Sequence, residues 1–287
     1  MHRFALHRSR DTNALMQAPA HTASTNAILL RESIGSIAVL TLNRPQARNS
    51  LSEDLLTALS ESLAAIAADT SVRAVVIAAN GPAFCAGHDM RELLAHRTGA
   101  DSGRSYFAKL MEQCSSVMQA VVHLPQPVIA AVQGPATAAG CQLVASCDLA
   151  VASTATGFCT PGVNIGFFCS TPMVALSRNV APKHALEMLL TGDMLSAEHA
   201  LRMGLINRVV TPGEERDEAI RFAHQIASKS AAVIKLGKQA FYEQIEMNLA
   251  DAYRHASAVM VENMMLRDAA EGIGAFLEKR RPVWEDR

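Results

Sequence analysis

The chain has 287 residues, 49% of them hydrophobic and 18% charged, a globular composition with ample apolar material for a large core. Its 26 basic and 27 acidic side chains leave a net charge of −1, so no global electrostatic pull draws it to nucleic acid or to a membrane surface. No run approaches the ~18 apolar residues of a membrane span. The six cysteines (Cys85, Cys114, Cys141, Cys147, Cys159 and Cys169) form no CxxC pair and no Cys/His cluster of zinc-like spacing, so they read as buried reduced thiols and no metal is expected.

Residues 1–27 carry Arg3, Arg8 and Arg10 against a single acid, Asp11, among several Ser and Thr. They read as a flexible extension, compatible with a mitochondrial transit peptide or with a disordered bacterial tail. Two apolar segments, AILL and SIAVLTLN, flank Ser33-Ile34-Gly35 and predict an antiparallel hairpin. A helix is expected from Ser50, where Leu51, Leu55, Leu59, Leu63 and Ile66 recur at helical spacing and Ser50 with Glu53 spells a capping box. The run VRAVVIAA is continuously apolar, as in a strand buried on both faces, and stops at the turn Asn80-Gly81-Pro82.

Another helix, about 105–122, precedes the strand PVIAAVQG; a further helix near Ala139 precedes the strand DLAVAS. Strand-turn-helix units at this pitch imply parallel strands stacked in the turns of a spiral, an α/β class. Beyond about residue 182 the pattern is helical apart from a short extended LINRVV. Met247, Met260, Met264 and Met265 fall there on amphipathic stretches suited to core or subunit packing. The expected division is 28–181 for the spiral core and 182–287 for a helical oligomerisation region.

Two turns carry the chemistry: AFCAGHDMRE (residues 83–92) and GPATAAGC (134–141). Each places small residues where a strand hands over to a helix, so backbone N–H groups stand open to a ligand. Two such groups converging on one point would form an oxyanion hole. Asp89 is expected to cap the helix that follows, and the His88 side chain to face solvent.

Together with TLNRPQARNSLS, VRAVVIAANGPAFCAGHDMRE, PVIAAVQGPATAAGCQLVASCDLAVAS, LLTGDMLSAEHALRMGLINRVV and EGIGAFLEKRRP, these turns resemble the crotonase (enoyl-CoA hydratase/isomerase) superfamily over residues 28–285. The resemblance implies a crotonase-like spiral of ββα turns with a C-terminal helical region. It also implies a homotrimer or dimer of trimers, and an acyl-CoA ligand with no cofactor beyond the coenzyme A of the substrate. It puts the oxyanion-hole N–H groups on His88 and Ala139; an alanine serves at the second position if its φ stays negative. By the same resemblance Arg44, Arg48, Ala86, Arg91 and Lys279, the last beside Arg280 and Arg281, border the CoA moiety. The setting would be fatty-acid or acyl-CoA metabolism, in the cytoplasm of a bacterium or the mitochondrial matrix of a eukaryote.

The departures are as informative. The two glutamates that family hydratases use to activate water align with Gln142 and Gly162, and a further isomerase acid position falls near Ser170. None of the three can exchange a proton at neutral pH. General acid–base groups contribute ~10²–10⁴-fold each, so hydration should be weak while enolate stabilisation survives. Glu112, His88, Glu92 and His123 are the candidate substitutes. Three functions stay open: an enoyl-CoA hydratase/isomerase-type enzyme working through an enolate, an acyl-CoA decarboxylase, and a non-catalytic CoA-binding protein. Phe167, Phe168 and Cys169 stand where a decarboxylase tyrosine is expected. Dehydrogenase and NTPase readings fail for want of GxGxxG after the first strand or GxxxxGK[ST].

Overall fold

The computed structural model describes residues 27–98 and 100–287; the extension expected at the N-terminus lies outside them but for its last residue. The first half runs β1 (Leu29–Ile34), β2 (Ile37–Leu42), α1 (Glu53–Ala68), β3 (Ala74–Ala79), α2 (Met90–Ala95), α3 (Arg104–His123), β4 (Val128–Val132), β5 (Ala136–Thr137), α4 (Ala139–Ser146), β6 (Leu149–Ser153) and β7 (Gly157–Cys159). The second continues with α5 (Ser170–Asn179), α6 (Pro182–Thr191), β8 (Leu195–Ser196), α7 (Ala197–Arg202), β9 (Arg208–Val210), α8 (Glu215–Ala227), α9 (Ala231–Gln244), α10 (Leu249–Met265) and α11 (Arg267–Glu278).

The main sheet has the order β1-β2-β3-β4-β6-β9, and β5-β7-β8 form a second, smaller sheet. Only β1 pairs antiparallel in the main sheet, closing the expected hairpin with Ile34 opposite Ile37. Every other neighbour is parallel, with Ile37 opposite Ala74, Val75 opposite Val128 and Ile129 opposite Leu149. The spiral α/β architecture is therefore the observed one. The apolar runs bury both faces because side chains alternate along a strand. Ile37, Val39, Val76, Ile129 and Val151 pack under α8, against Ala219 and Ala223. Their neighbours Leu40, Leu42, Val75, Ile77, Ala130 and Val132 pack with the leucines of α1 and with Cys114, Val117 and Val121 of α3.

The sheet takes its sixth strand from beyond residue 182: β9 pairs with β6, Val151 opposite Arg208. The first helix differs from its expected start. Ser52, not Ser50, is the N-cap, accepting from Leu55 N–H at 3.3 Å, and α1 begins at Glu53. The Ser50 hydroxyl instead donates to Asp89 at 3.1 Å, so the capping box is absent and that serine braces the first glycine turn. All six cysteines are free and buried.

Candidate active site

The two turns are laced together by backbone. Phe84 N–H donates to Pro135 C=O (3.1 Å), Thr137 N–H to Cys85 C=O (2.9 Å), and the Thr137 hydroxyl to Ala86 C=O (3.0 Å). Two glycines permit this approach. A Cβ on Gly140 would stand 2.1 Å from Cys85 O. One on Gly87, which has φ +90°, would stand 2.9 Å from Ala138 Cβ and 3.3 Å from Ala139 N. The residue before His88 and the amide of Ala139 are thus in contact distance, so the two proposed hole positions belong to one site.

Both amides are available. Leu51 N–H donates to Gly87 C=O and Asp89 N–H to Leu51 C=O, a parallel bridge in which the intervening His88 N–H faces away from Leu51. Ala139 is the first residue of α4, so its N–H has no intrahelical acceptor. Neither N–H makes a hydrogen bond among the described residues. The positive end of the helix macrodipole adds to the attraction for an anion at this point. Ala139 keeps a helical, negative φ; the strained residue is its neighbour Ala138, at φ 50° and ψ −119°.

The expected solvent exposure of His88 is not observed. Its Nε2 is buried without a hydrogen-bond partner, and burial pushes the imidazole down to about 4, so it is neutral at physiological pH. Gln142 is 4% exposed and its Oε1 is likewise buried and unpartnered. It sits one turn after Ala139 on the same face of α4. Gly162 is buried in the turn before α5, and a Cβ there would meet Phe167 O at 2.6 Å and Cys169 Sγ at 2.8 Å. Its φ is not left-handed; crowding rather than conformation excludes a larger residue. Ser170 is exposed at the start of α5.

Arg44 is committed within the fold. Its guanidinium pairs with Asp89 at 3.1 Å, both side chains largely buried, and donates to Ser50 C=O at 2.6 Å. Asp89 caps α2 as expected, accepting from Arg91 N–H at 3.1 Å, and its carboxyl lies below the usual range because Arg44, Ser50 and that amide outweigh burial. Arg48 is exposed at φ 49° and its C=O accepts from Ala86 N–H. Ala86 is half-buried against the second turn, and the Arg91 side chain is exposed. Lys279 is exposed in a left-handed conformation after α11, while Arg280 beside it is taken up by Glu271 and Glu278. Glu112 and His123 are exposed on α3.

A cluster of Glu53, Glu92 and Tyr106 was not legible in the sequence. Glu92 on α2 accepts from Glu53 N–H at 3.2 Å, and Tyr106 on α3 has a buried hydroxyl with no partner. The Tyr106 ring stacks on His96 at 3.5 Å, and burial next to Glu53 and Glu92 raises the phenol to about 12. Only the close meeting of α2 and α3 could have revealed them. A cavity of about 800 Å³ lies elsewhere, lined by Arg73, Gln126, Lys235 and Asp286.

Comparison with known proteins fits this architecture. A family model described as Enoyl-CoA hydratase/isomerase matches residues 32–287. The mitochondrial enoyl-CoA hydratase domain-containing protein 3 of Rattus norvegicus is 50% identical over 245 residues, covering 85% of this chain and 80% of that protein; the Homo sapiens counterpart is 49% identical, covering 85% and 79%. Among solved structures, an enoyl-CoA hydratase of Mycobacterium smegmatis superposes with a TM-score of 0.86 at 52% identity, over 90% of this chain and 99% of that one. The human enoyl-CoA hydratase domain-containing protein 3 superposes at 0.85 with 47% identity, over 90% and 100%. With its model spanning the strands, both turns and the C-terminal helices, the chain belongs to the enoyl-CoA hydratase/isomerase family of the crotonase superfamily.

Proposed function

We propose that the protein binds an acyl-CoA thioester and stabilises its enolate between the backbone N–H groups of His88 and Ala139. The carrying observation is that these two amides, on turns locked in contact by Gly87 and Gly140, are both without acceptors. Each such donor is worth ~10²–10³ in rate when aimed at the developing oxyanion. No cofactor is needed beyond the coenzyme A of the substrate. Arg48, Arg91 and Lys279 are the exposed cations suited to its phosphates, while Ala86 offers a backbone edge; Arg44 acts through Asp89 instead.

Gln142 and Gly162 occupy the hydratase glutamate positions in this reading. The amide can orient a water or a hydroxyl but cannot exchange its proton, and Phe167 leaves no room for an acid at 162. Crotonyl-CoA hydration is therefore at least about 10³-fold slower than in a two-carboxylate hydratase. Acyl-CoA decarboxylation is the weaker alternative. Phe167, Phe168 and Cys169 stand where a decarboxylase tyrosine is expected. A homotrimer or dimer of trimers and residence in the mitochondrial matrix, by analogy with the named mitochondrial relatives, complete the proposal.

Incubation with enoyl-, malonyl- and β-hydroxyacyl-CoA esters, read by mass spectrometry, tests it. Conversion of an enoyl or hydroxyacyl ester with malonyl-CoA untouched is the expected result. Loss of CO₂ from malonyl-CoA would favour the decarboxylase, and binding without any turnover the non-catalytic protein.

A further inference from the structure

We propose that Arg44 is a positioning residue of the oxyanion hole: its guanidinium acts on the His88 N–H through a row of two hydrogen-bonded peptide groups. The inference rests on the acyl-CoA reading above and names what strengthens the first hole amide. Arg44 Nη1 donates to Ser50 C=O at 2.6 Å. The N–H of that same peptide group belongs to Leu51, and it donates to Gly87 C=O at 2.8 Å. The N–H of the Gly87 peptide group is that of His88, which faces away from Leu51 and has no acceptor among the described residues. A trans peptide points its C=O and N–H in opposite directions. Cation, two peptide dipoles and open N–H therefore follow one another in the same sense.

Hydrogen bonds in such a row polarise one another, by about 10–30% per bond. The first of them, from a guanidinium, is charge-assisted and about twice as strong as a neutral one. The two hole amides thus have separate sources of positive potential. Ala139 opens α4 and takes it from the helix. His88 precedes a helix of only six residues, and the row from Arg44 is its counterpart.

The row is held on every side. Arg44 Nη2 pairs with Asp89 at 3.1 Å, with the two side chains only 17% and 13% exposed, so the guanidinium is turned inward rather than towards a ligand's phosphates. Arg44 N–H donates to Asn49 Oδ1 at 2.8 Å. Asn49, fully buried, donates in turn to Asn80 C=O at 2.8 Å and to Ala83 C=O at 2.9 Å. The Ser50 hydroxyl donates to Asp89 at 3.1 Å, and Asp89 N–H closes the bridge on Leu51 C=O at 3.2 Å. Residues 44–51 therefore fix both the guanidinium and the direction of the His88 N–H. Pairing has a second effect: the Asp89 carboxylate directly follows His88 and would oppose an anion at the hole, and Arg44 offsets it.

Titration with acetoacetyl-CoA, read by the absorbance of its enolate at one fixed pH, beside calorimetric binding of butyryl-CoA, tests the proposal. Wild type should bind both esters and show the enolate band. Arg44→Met should lower the bound enolate-to-keto ratio about three- to tenfold, with butyryl-CoA affinity unchanged. Arg44→Met combined with Asp89→Asn removes the cation without stranding the carboxylate and keeps a capping side chain on α2, and it should show the same fall. Arg44→Lys, which retains the charge, should restore part of the ratio. Asp89→Asn alone leaves the guanidinium on Ser50 C=O and should hold the ratio at or above wild type. A wild-type ratio in the double variant, or a fall in Asp89→Asn as large as in Arg44→Met, would overturn the assignment and leave the acyl-CoA reading intact. Binding of both esters by wild type with no enolate band would overturn the hole and this proposal with it; no binding of either would overturn acyl-CoA binding as well.

Discussion

Ala138 enters α4 at φ 50° and ψ −119°, a region that a Cβ disfavours by roughly 1–3 kcal/mol. Glycine relieves that strain at an entropic cost of about 0.5–1 kcal/mol, so Ala138→Gly should raise thermal stability by a few degrees, read by calorimetry. The crowding at Gly162 acts in the opposite direction. Gly162→Glu forces a side chain onto Phe167 O and Cys169 Sγ, and overpacking of this kind costs about 1–3 kcal/mol. Urea titration should find that mutant destabilised, and restoring the second hydratase acid alone should not create a hydratase. His88 gives the pH dependence. Its folded value, about 4, lies below the unfolded 6.5, so the unfolded chain binds the extra proton between those values. The stabilisation is complete above about pH 6.5 and is lost as pH falls towards 4, to a total of about 3 kcal/mol. His88→Gln should flatten the denaturation midpoint across that window.

At the scale of elements, α9 is tied to the sheet by a buried pair. Lys238 Nζ donates to Asp148 at 2.6 Å and to the carbonyls of Val121 and Gln126, while Tyr242 donates to the other Asp148 oxygen at 3.0 Å. Burial lowers Lys238 and raises Asp148 against their mutual attraction. Lys238→Met leaves that carboxyl buried without its cation, and should cost about 3–5 kcal/mol in chemical denaturation. The strands were legible in the sequence because runs such as VRAVVIAA carry their burial in composition, and the Leu55-Leu59-Leu63 spacing carries the buried face of α1. The two glycine turns were legible for a related reason: only small residues fit where Gly140 meets Cys85. What escaped were contacts between distant segments. Ser50 looks like a cap locally, but Asp89, 39 residues on, takes its hydroxyl and Ser52 caps instead. His88 and Tyr106 are polar residues whose burial is decided by the packing of α2 and α3, which local pattern does not encode.

For the whole molecule, α10 and α11 leave Tyr253, Met260, Met264, Met265, Phe276 and Leu277 exposed, far more apolar surface than scattered single residues. This face supports the proposed self-assembly, and sedimentation at micromolar concentration should find no free monomer; a monomer alone would contradict it. The methionines among them are therefore surface groups of the single chain rather than part of its core. The proposed function requires the paired amides of His88 and Ala139 to bind an enolate. Calorimetric titration with acetoacetyl-CoA, which carries an enolate readily, against butyryl-CoA, which does not, tests this most directly. Both esters should bind, acetoacetyl-CoA at least about tenfold more tightly, as roughly 1.4 kcal/mol of extra oxyanion stabilisation requires. Equal affinities, or no binding of either at millimolar concentration, would contradict it.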